Sequence, residues 1–248
     1  MYRMYSQIWS SPPALLDLQP HQVDIWRTRV DLSPNSLDQL KATLSTEEKE
    51  RAARFHFQAD RNRFIAAHGC LRAVLARYLH YGPEQLRFSV NDYGKPALED
   101  HNLEFNLSHS GDFALVAITR EHKVGVDLER VRPGISSDVI AQQYFSKAEV
   151  AELENLPLQQ REFAFFLCWT RKEAYIKAQG LGLSLPLESF DVSLTPNEPA
   201  MLRATHTDPQ EAARWTLFSL EIDPRYAAAV AVDGQDLELR LWDWKTNY

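Results

Sequence analysis

Apolar and polar positions alternate in some stretches of this chain and recur every three to four residues in others, and the two periods divide it into elements. "QVDIWRTRVDL" (22–32) alternates loosely and reads as a strand. Ser33-Pro34 then opens a helix with Leu37, Leu40 and Leu44 on one face. Ser45 and Glu48 have the spacing of a capping box and start a second helix through about Phe57. From Asp60 to about Leu79, the residues Phe64, His68, Leu71, Leu75 and Tyr78 recur at helical spacing. "LRFSV" (86–90) is a short strand and "NDYGKP" a turn. Residues 103–118 read as two strands joined at Ser110-Gly111-Asp112, and 123–129, "KVGVDLE", as one more. "SSDVIAQQYF" and "SKAEVAEL" are helical, the second with a capping box from Ser146 to Glu149. A helix over 159–179 ends at Gly180, a natural C′ position. Strands follow at about 189–194, 214–220, 226–232 and 237–243.

The order of these elements repeats weakly. Residues 60–118 run long helix, strand, turn and strand pair, and residues 159–232 do much the same. The class implied is α+β, in two similar halves, 1–120 and 121–248, with a seam near 119–134.

Composition narrows the function. The chain has 248 residues, 44% hydrophobic and 25% charged, as an ordinary soluble protein does. The apolar run "YAAAVAV" (226–232) is far too short to span a bilayer, and the first twenty residues lack the apolar core of a signal peptide. Cys70 and Cys168 provide no disulfide framework. The expectation is a soluble, cytoplasmic protein. A net charge of −7 argues against nucleic acid and against docking on an acidic membrane. "RAARFHFQADRNR" (51–63) runs the other way, with four arginines and one aspartate. It is either a solvated helix face or a local pocket for an anion.

Candidate chemistry centres on carboxylates. On a strand, Asp127 and Glu129 of "GVDLE" point to the same face, either outward to solvent or into a site. Buried together they need something positive between them. Glu173, with Lys172 before it and Lys177 one turn later, could complete an oxygen-only pocket. Such a set suits Mg²⁺, with Mn²⁺ as its substitute, the shell completed by water and phosphates. No H-e-x-x-H or C-x-x-C supports zinc. Lys177 either pairs with Glu173 at i,i+4 or neutralises a phosphoryl group. The "GLG" at 180–182 follows a helix and so cannot be a dinucleotide loop, and "LSHSG" is not a nucleophile elbow. By itself His109 reads as a structural strand histidine.

Taken in order, "YGKPAL" (93–98), "FNLSHSG" (105–111), "GVDLE" (125–129) and "WTRKEAYIKAQGLGL" (169–183) resemble the large, single-chain class of 4′-phosphopantetheinyl transferases. The resemblance runs from about Leu44 to about Val232 and does not reach the first twenty residues. It implies two α+β halves related by a pseudo-twofold, with coenzyme A in the cleft between them. It implies transfer of phosphopantetheine from coenzyme A to a serine of an acyl or peptidyl carrier protein. Asp127, Glu129 and Glu173 are then the Mg²⁺ carboxylates, with Glu173 the preferred general base and Glu129 its alternative. Lys177 stabilises the leaving phosphate. His109 and Lys95 meet coenzyme A phosphates, with Ser108 beside them, and Arg51 and Arg63 meet the nucleotide's phosphates, most importantly the 3′-phosphate, Arg54 sharing that role. Trp169, Tyr175 and Ile176 pack the helix on the sheet. A monomer is expected, since both halves of the site lie on one chain, and the apolar "GLGLSLPL" rim is a candidate docking edge for the carrier. Two rivals stand beside this reading: a Mg²⁺-dependent pyrophosphate hydrolase, and a non-catalytic module that binds coenzyme A or a carrier.

Overall fold

The computed structural model describes residues 7–99, 101–132, 134 and 137–245, the side chain of Leu183 lying outside that set. The chain mixes helices and strands in the α+β manner. Strand β1 (Gln22–Arg29) leads to α1 (Pro34–Thr43), α2 (Thr46–Ala53) and the long α3 (Gln58–Leu79). Then come β2 (Phe88–Val90), β3 (Pro96–Leu98), β4 (Leu103–Ser110), β5 (Phe113–Arg120) and β6 (Val124–Arg130). Three helices follow, α4 (Ser137–Tyr144), α5 (Lys147–Asn155) and α6 (Leu158–Gln179). The chain finishes with β7 (Phe190–Val192), β8 (Leu202–Thr205), β9 (Trp215–Ser219), β10 (Tyr226–Asp233) and β11 (Glu238–Asp243). Among the described residues no helix is long and apolar enough to cross a membrane.

Local chemistry explains the helix ends. Ser45 and Ser146 each accept from the N3 amide, and Glu48 and Glu149 reach back to the cap, so both expected capping boxes form. Helix α2 stops at Ala53, short of the expected Phe57, because Phe57 turns extended and becomes the N-cap of α3. Gly180 ends α6 in the left-handed conformation, φ 69°.

Two sheets carry the core. One has the order β11-β1-β5-β4 and the other β6-β10-β9, with small hairpins β2-β3 and β7-β8. Strand β11, near the end of the chain, pairs in parallel with β1. The tail beneath it also bridges the seam: Gln7 and Trp9 donate to the carbonyls of Ser219 and Glu221, while Arg77 and Arg120 donate to those of Pro13 and Leu18.

The two sheets meet at the edges of β4 and β6, which are joined by side chains. Asn106 Oδ1 accepts from Val126 N at 2.9 Å, Ser108 Oγ from Leu128 N at 3.3 Å, and Ser110 Oγ from Arg130 N at 3.1 Å. Three polar residues spaced by two thus satisfy the edge donors of β6. Alternation sorts the rest of the strand. Val124, Val126 and Leu128 enter the core with Val230 and Val232, while Ala227, Ala229 and Ala231 of β10 face α6. These small residues, with Gly125, let the helix lie close. A Cβ at Gly125 would stand 2.1 Å from the Ala174 carbonyl oxygen and 2.3 Å from the Ala178 amide.

Candidate active site

That close packing positions the carboxylates. Gly125, Asp127 and Glu129 occupy the face of β6 that α6 covers, opposite the Val124, Val126 and Leu128 face. Asp127 is buried, and its Oδ1 accepts from Lys177 Nζ at 2.6 Å and from Ser108 Oγ at 3.0 Å. Lys177 also reaches Ser108 Oγ at 3.3 Å and the Val126 carbonyl at 3.4 Å. The ion pair open to it on its own helix, with Glu173, gives way to one across to β6. Ser110 Oγ donates to Glu129 Oε2 at 2.9 Å.

Electrostatics link the three acids. Burial first, and then the charge of Asp127, hold both Glu129 and Glu173 above the usual carboxylate range. Lys177 lowers both, Ser110 and Arg132 lower Glu129, and Glu129 adds to the rise at Glu173. Asp127 Oδ2 is buried without a hydrogen-bond partner. An orphaned carboxylate oxygen beside two acids that repel one another fits a divalent cation bound by oxygen. Among the described residues, no three His, Cys, Asp or Glu side chains form a ready-made cage. Lys177 draws Asp127 Oδ1 to itself, so an ion here needs further oxygens from its substrate or water.

The basic residues divide. The His109 residue is exposed on β4, yet surrounding protein and the charges of His68, Lys177, Arg63 and Arg51 lower its pKa. Arg51 lies over the Phe64 ring and Arg63 pairs with Asp60 at 3.0 Å. Lys95 sits at the end of α6. Its ammonium holds the carbonyls of Ala178 at 3.1 Å and Val124 at 3.3 Å, with Glu104 at 3.7 Å, and ties the β2-β3 hairpin to the end of α6. Burial lowers its pKa. Arg54 sits exposed as the C-cap of α2.

Other expectations shift in detail. Lys172 faces the core, where its Nζ pairs with Glu149 at 2.7 Å and donates to the carbonyls of Leu187 and Phe190. Trp169 packs on Tyr144, Phe145 and Phe165, a helical layer, whereas Tyr175 meets Phe190 and Trp215 of the strands. In the "GLGLSLPL" rim Leu187 is buried and Leu181 is partly exposed; the Leu183 side chain lies outside the described residues.

Ser110 and His68 are the members of this neighbourhood that sequence reasoning missed. The spacing of Ser108 and Ser110, matching that of Asp127 and Glu129, was the readable signal for the first. Volume and chemistry part company here. The larger cavity, about 590 Å³, lies between β1, Ser33, Phe113 and residues 243–245 and contains none of the three acids. A cavity of about 190 Å³ opens beside Glu129, walled by Arg132, Ile140, Phe165, Phe166 and Trp169.

Known proteins share this arrangement of segments. Residues 123–231 match the 4′-phosphopantetheinyl transferase superfamily, and residues 31–121 match the 4′-phosphopantetheinyl transferase N-terminal family. The 4′-phosphopantetheinyl transferase HetI of Nostoc sp. is 39% identical over 97% of this chain and 100% of its own length. The chain belongs to the 4′-phosphopantetheinyl transferase family. Within that family, Sfp of Bacillus subtilis is 32% identical over 83% of the chain and 89% of its own length. The corresponding figures for psf-1 of Bacillus pumilus are 33%, 78% and 81%. The matched segments contain β6 and α6, which carry the carboxylates and Lys177, and β4, which carries Ser108, His109 and Ser110.

Proposed function

We propose that this chain transfers the 4′-phosphopantetheine group of coenzyme A to a serine of an apo acyl or peptidyl carrier protein, releasing adenosine 3′,5′-bisphosphate. The observation that carries the reading is the convergence of Asp127, Glu129, Glu173 and Lys177 where β6 faces α6, with Asp127 Oδ2 unsatisfied. The basic group around His109 adjoins it through Lys177. A coenzyme A molecule offers two anionic centres, a pyrophosphate and a 3′-phosphate, and these two neighbourhoods answer to them. The succession of 22-residue helix, short hairpin and antiparallel pair occurs at α3 and again at α6. It supports two halves related by a pseudo-twofold, divided near residue 120, with the ligand in the cleft between.

Asp127, Glu129 and Glu173 would hold Mg²⁺, or Mn²⁺ in its place, which supplies Lewis-acid polarisation of the pyrophosphate. The remaining work falls to the chain. Ser108 and Ser110 orient Asp127 and Glu129 through their hydroxyls. Glu173 takes the proton of the incoming serine, and its raised pKa makes it a better base for that task. The serine oxygen bonds to the phosphorus that bears pantetheine, and the bond from that phosphorus to the bridging oxygen breaks. Negative charge then collects on the departing 5′-phosphate, where the Lys177 ammonium meets it. His109, Arg51 and Arg63 bind the nucleotide phosphates. Lys95, which ties the β2-β3 hairpin to the end of α6, meets a coenzyme A phosphate at the rim of the cleft.

Intact mass of an apo carrier, incubated with the protein, coenzyme A and Mg²⁺, tests the proposal. A gain of one phosphopantetheine, abolished by EDTA and by Glu173→Gln, is expected. Unchanged mass with several unrelated carriers refutes it.

A further inference from the structure

Tyr226 opens β10 opposite Arg130 of β6, and its side chain reaches the turn that joins β4 to β5. The ring is buried and meets Phe113 edge-on, centroids 5.3 Å apart and planes 88° apart. That packing uses only the ring. The hydroxyl has a partner of its own, since Tyr226 Oη accepts from Asp112 N at 3.0 Å. Asp112 is held at its other backbone group too, its carbonyl accepting from Val30 N at 2.9 Å. Gly111 completes the fit. Its φ is 57°, and a Cβ there would stand 2.4 Å from Tyr226 Oη and 3.0 Å from Arg130 Cδ, so only glycine lets the turn sit against the phenol.

The turn follows directly on Ser110, the last residue of β4. Ser110 Oγ accepts from Arg130 N at 3.1 Å and donates to Glu129 Oε2 at 2.9 Å, so its one proton is committed to the carboxylate. A circuit therefore runs from Tyr226 through Asp112 and Ser110 to Glu129. It returns along β6 through Arg130, the residue paired with Tyr226.

We propose that Tyr226 is a positioning residue for Glu129: its hydroxyl fixes the β4–β5 turn, and the turn fixes the Ser110 hydroxyl that holds the Glu129 carboxylate ready for the divalent cation. The inference rests on the function proposed above. Groups that orient a metal-binding carboxylate matter to the metal nearly as much as the carboxylate does. Without the Tyr226 hydroxyl the ring still packs on Phe113. The amide of half-buried Asp112 is released, and a two-residue turn containing glycine regains freedom next to Ser110.

The test uses the full chain and asks whether the hydroxyl acts through Ser110. Calorimetry would measure coenzyme A binding with and without Mg²⁺ for the wild type, Tyr226→Phe, Ser110→Ala and the double variant. In Tyr226→Phe the gain in affinity brought by Mg²⁺ should fall about tenfold, the lower end of the loss seen when an orienting partner of a metal ligand is removed. Affinity without Mg²⁺ should hold. With an apo carrier, kcat should fall by a similar factor. Adding Tyr226→Phe to Ser110→Ala should cost nothing further in either readout, because the path is already cut. A full additional loss on that background overturns the proposal. So does an unchanged Mg²⁺ effect in Tyr226→Phe, even with a lowered unfolding midpoint, which marks a purely structural role. A wild type that gains nothing from Mg²⁺ overturns it as well. Should Tyr226→Phe fail to fold, Gly111→Ala forces the turn off the same hydroxyl and must lower the same Mg²⁺ effect. A weakened Mg²⁺ effect in a protein that modifies no carrier would refute the transfer reading and leave this one standing. Equal carrier modification by the wild type and Tyr226→Phe would do the reverse.

Discussion

Replacing Gly125 by alanine tests the claim that the packing distance between α6 and β6 sets the geometry of the site. The added Cβ would lie 2.1 Å from the Ala174 carbonyl oxygen and 2.3 Å from the Ala178 amide, both backbone atoms that cannot rotate away. Ordinary contact begins at 3.4 Å, so α6 has to retreat by about 1.3 Å. The same retreat carries Lys177, now 2.6 Å from Asp127 Oδ1, out of hydrogen-bond range, and displaces Glu173 with it. Overpacking of this kind costs about 1–3 kcal/mol. A misplacement of about 1 Å in a reacting group costs on the order of a hundredfold in rate. Gly125→Ala should therefore lower both the unfolding midpoint and, more severely, kcat/KM for carrier modification. Thermal unfolding and steady-state transfer measure the two. Wild-type kcat/KM and midpoint in this variant would show that helix and strand have slack, and would refute the argument.

Other predictions follow from single contacts. Lys177→Met should lower kcat by about 10²–10³-fold, the scale of losing one charge-stabilising donor, as read in single-turnover transfer. Lys172→Met should destabilise the fold by about 3–5 kcal/mol in urea unfolding, since it strands the buried Glu149 charge; adding Glu149→Gln should restore much of that loss. Glu48 is held at about 2, below its ordinary 4.5, through hydrogen bonds from His68, Ser45 and Arg72 that outweigh its burial. Its stabilisation is complete above pH 4.5 and fades as pH falls toward 2. Discounted for partial solvation, it is about 1–2 kcal/mol, so Glu48→Gln should lose that much at pH 7 and nothing relative to wild type near pH 2. His109 has a lowered pKa and is neutral at pH 7 until a phosphate draws it up. Coenzyme A should bind with proton uptake, more tightly as pH falls from 7.5 toward 6, and His109→Gln should flatten that dependence in calorimetry.

Much of the site was legible because its signals are local. The alternation in "GVDLE" puts Asp127 and Glu129 on one face, and both capping boxes and the Gly180 terminus form where their spacing says. Strands β3 and β8, three and four residues long, escaped notice. The parallel pairing of β11 with β1 links residues more than two hundred apart, which no local period encodes. Lys172 and Lys177 look alike in sequence, yet one points into the core and the other across to β6, and only the packing of α6 decides between them. The partners of His68 and Lys95 are hidden from sequence for the same reason, each lying on another element.

The most direct test of the whole account is to quantify modified carrier and adenosine 3′,5′-bisphosphate in one reaction of the wild-type chain with coenzyme A, Mg²⁺ and an apo carrier. Transfer through the proposed site predicts one bisphosphate released per carrier modified, and neither product when Mg²⁺ is chelated. Bisphosphate released without a modified carrier would mean hydrolysis, and neither product alongside tight coenzyme A binding would mean a binding module; either result would contradict the account.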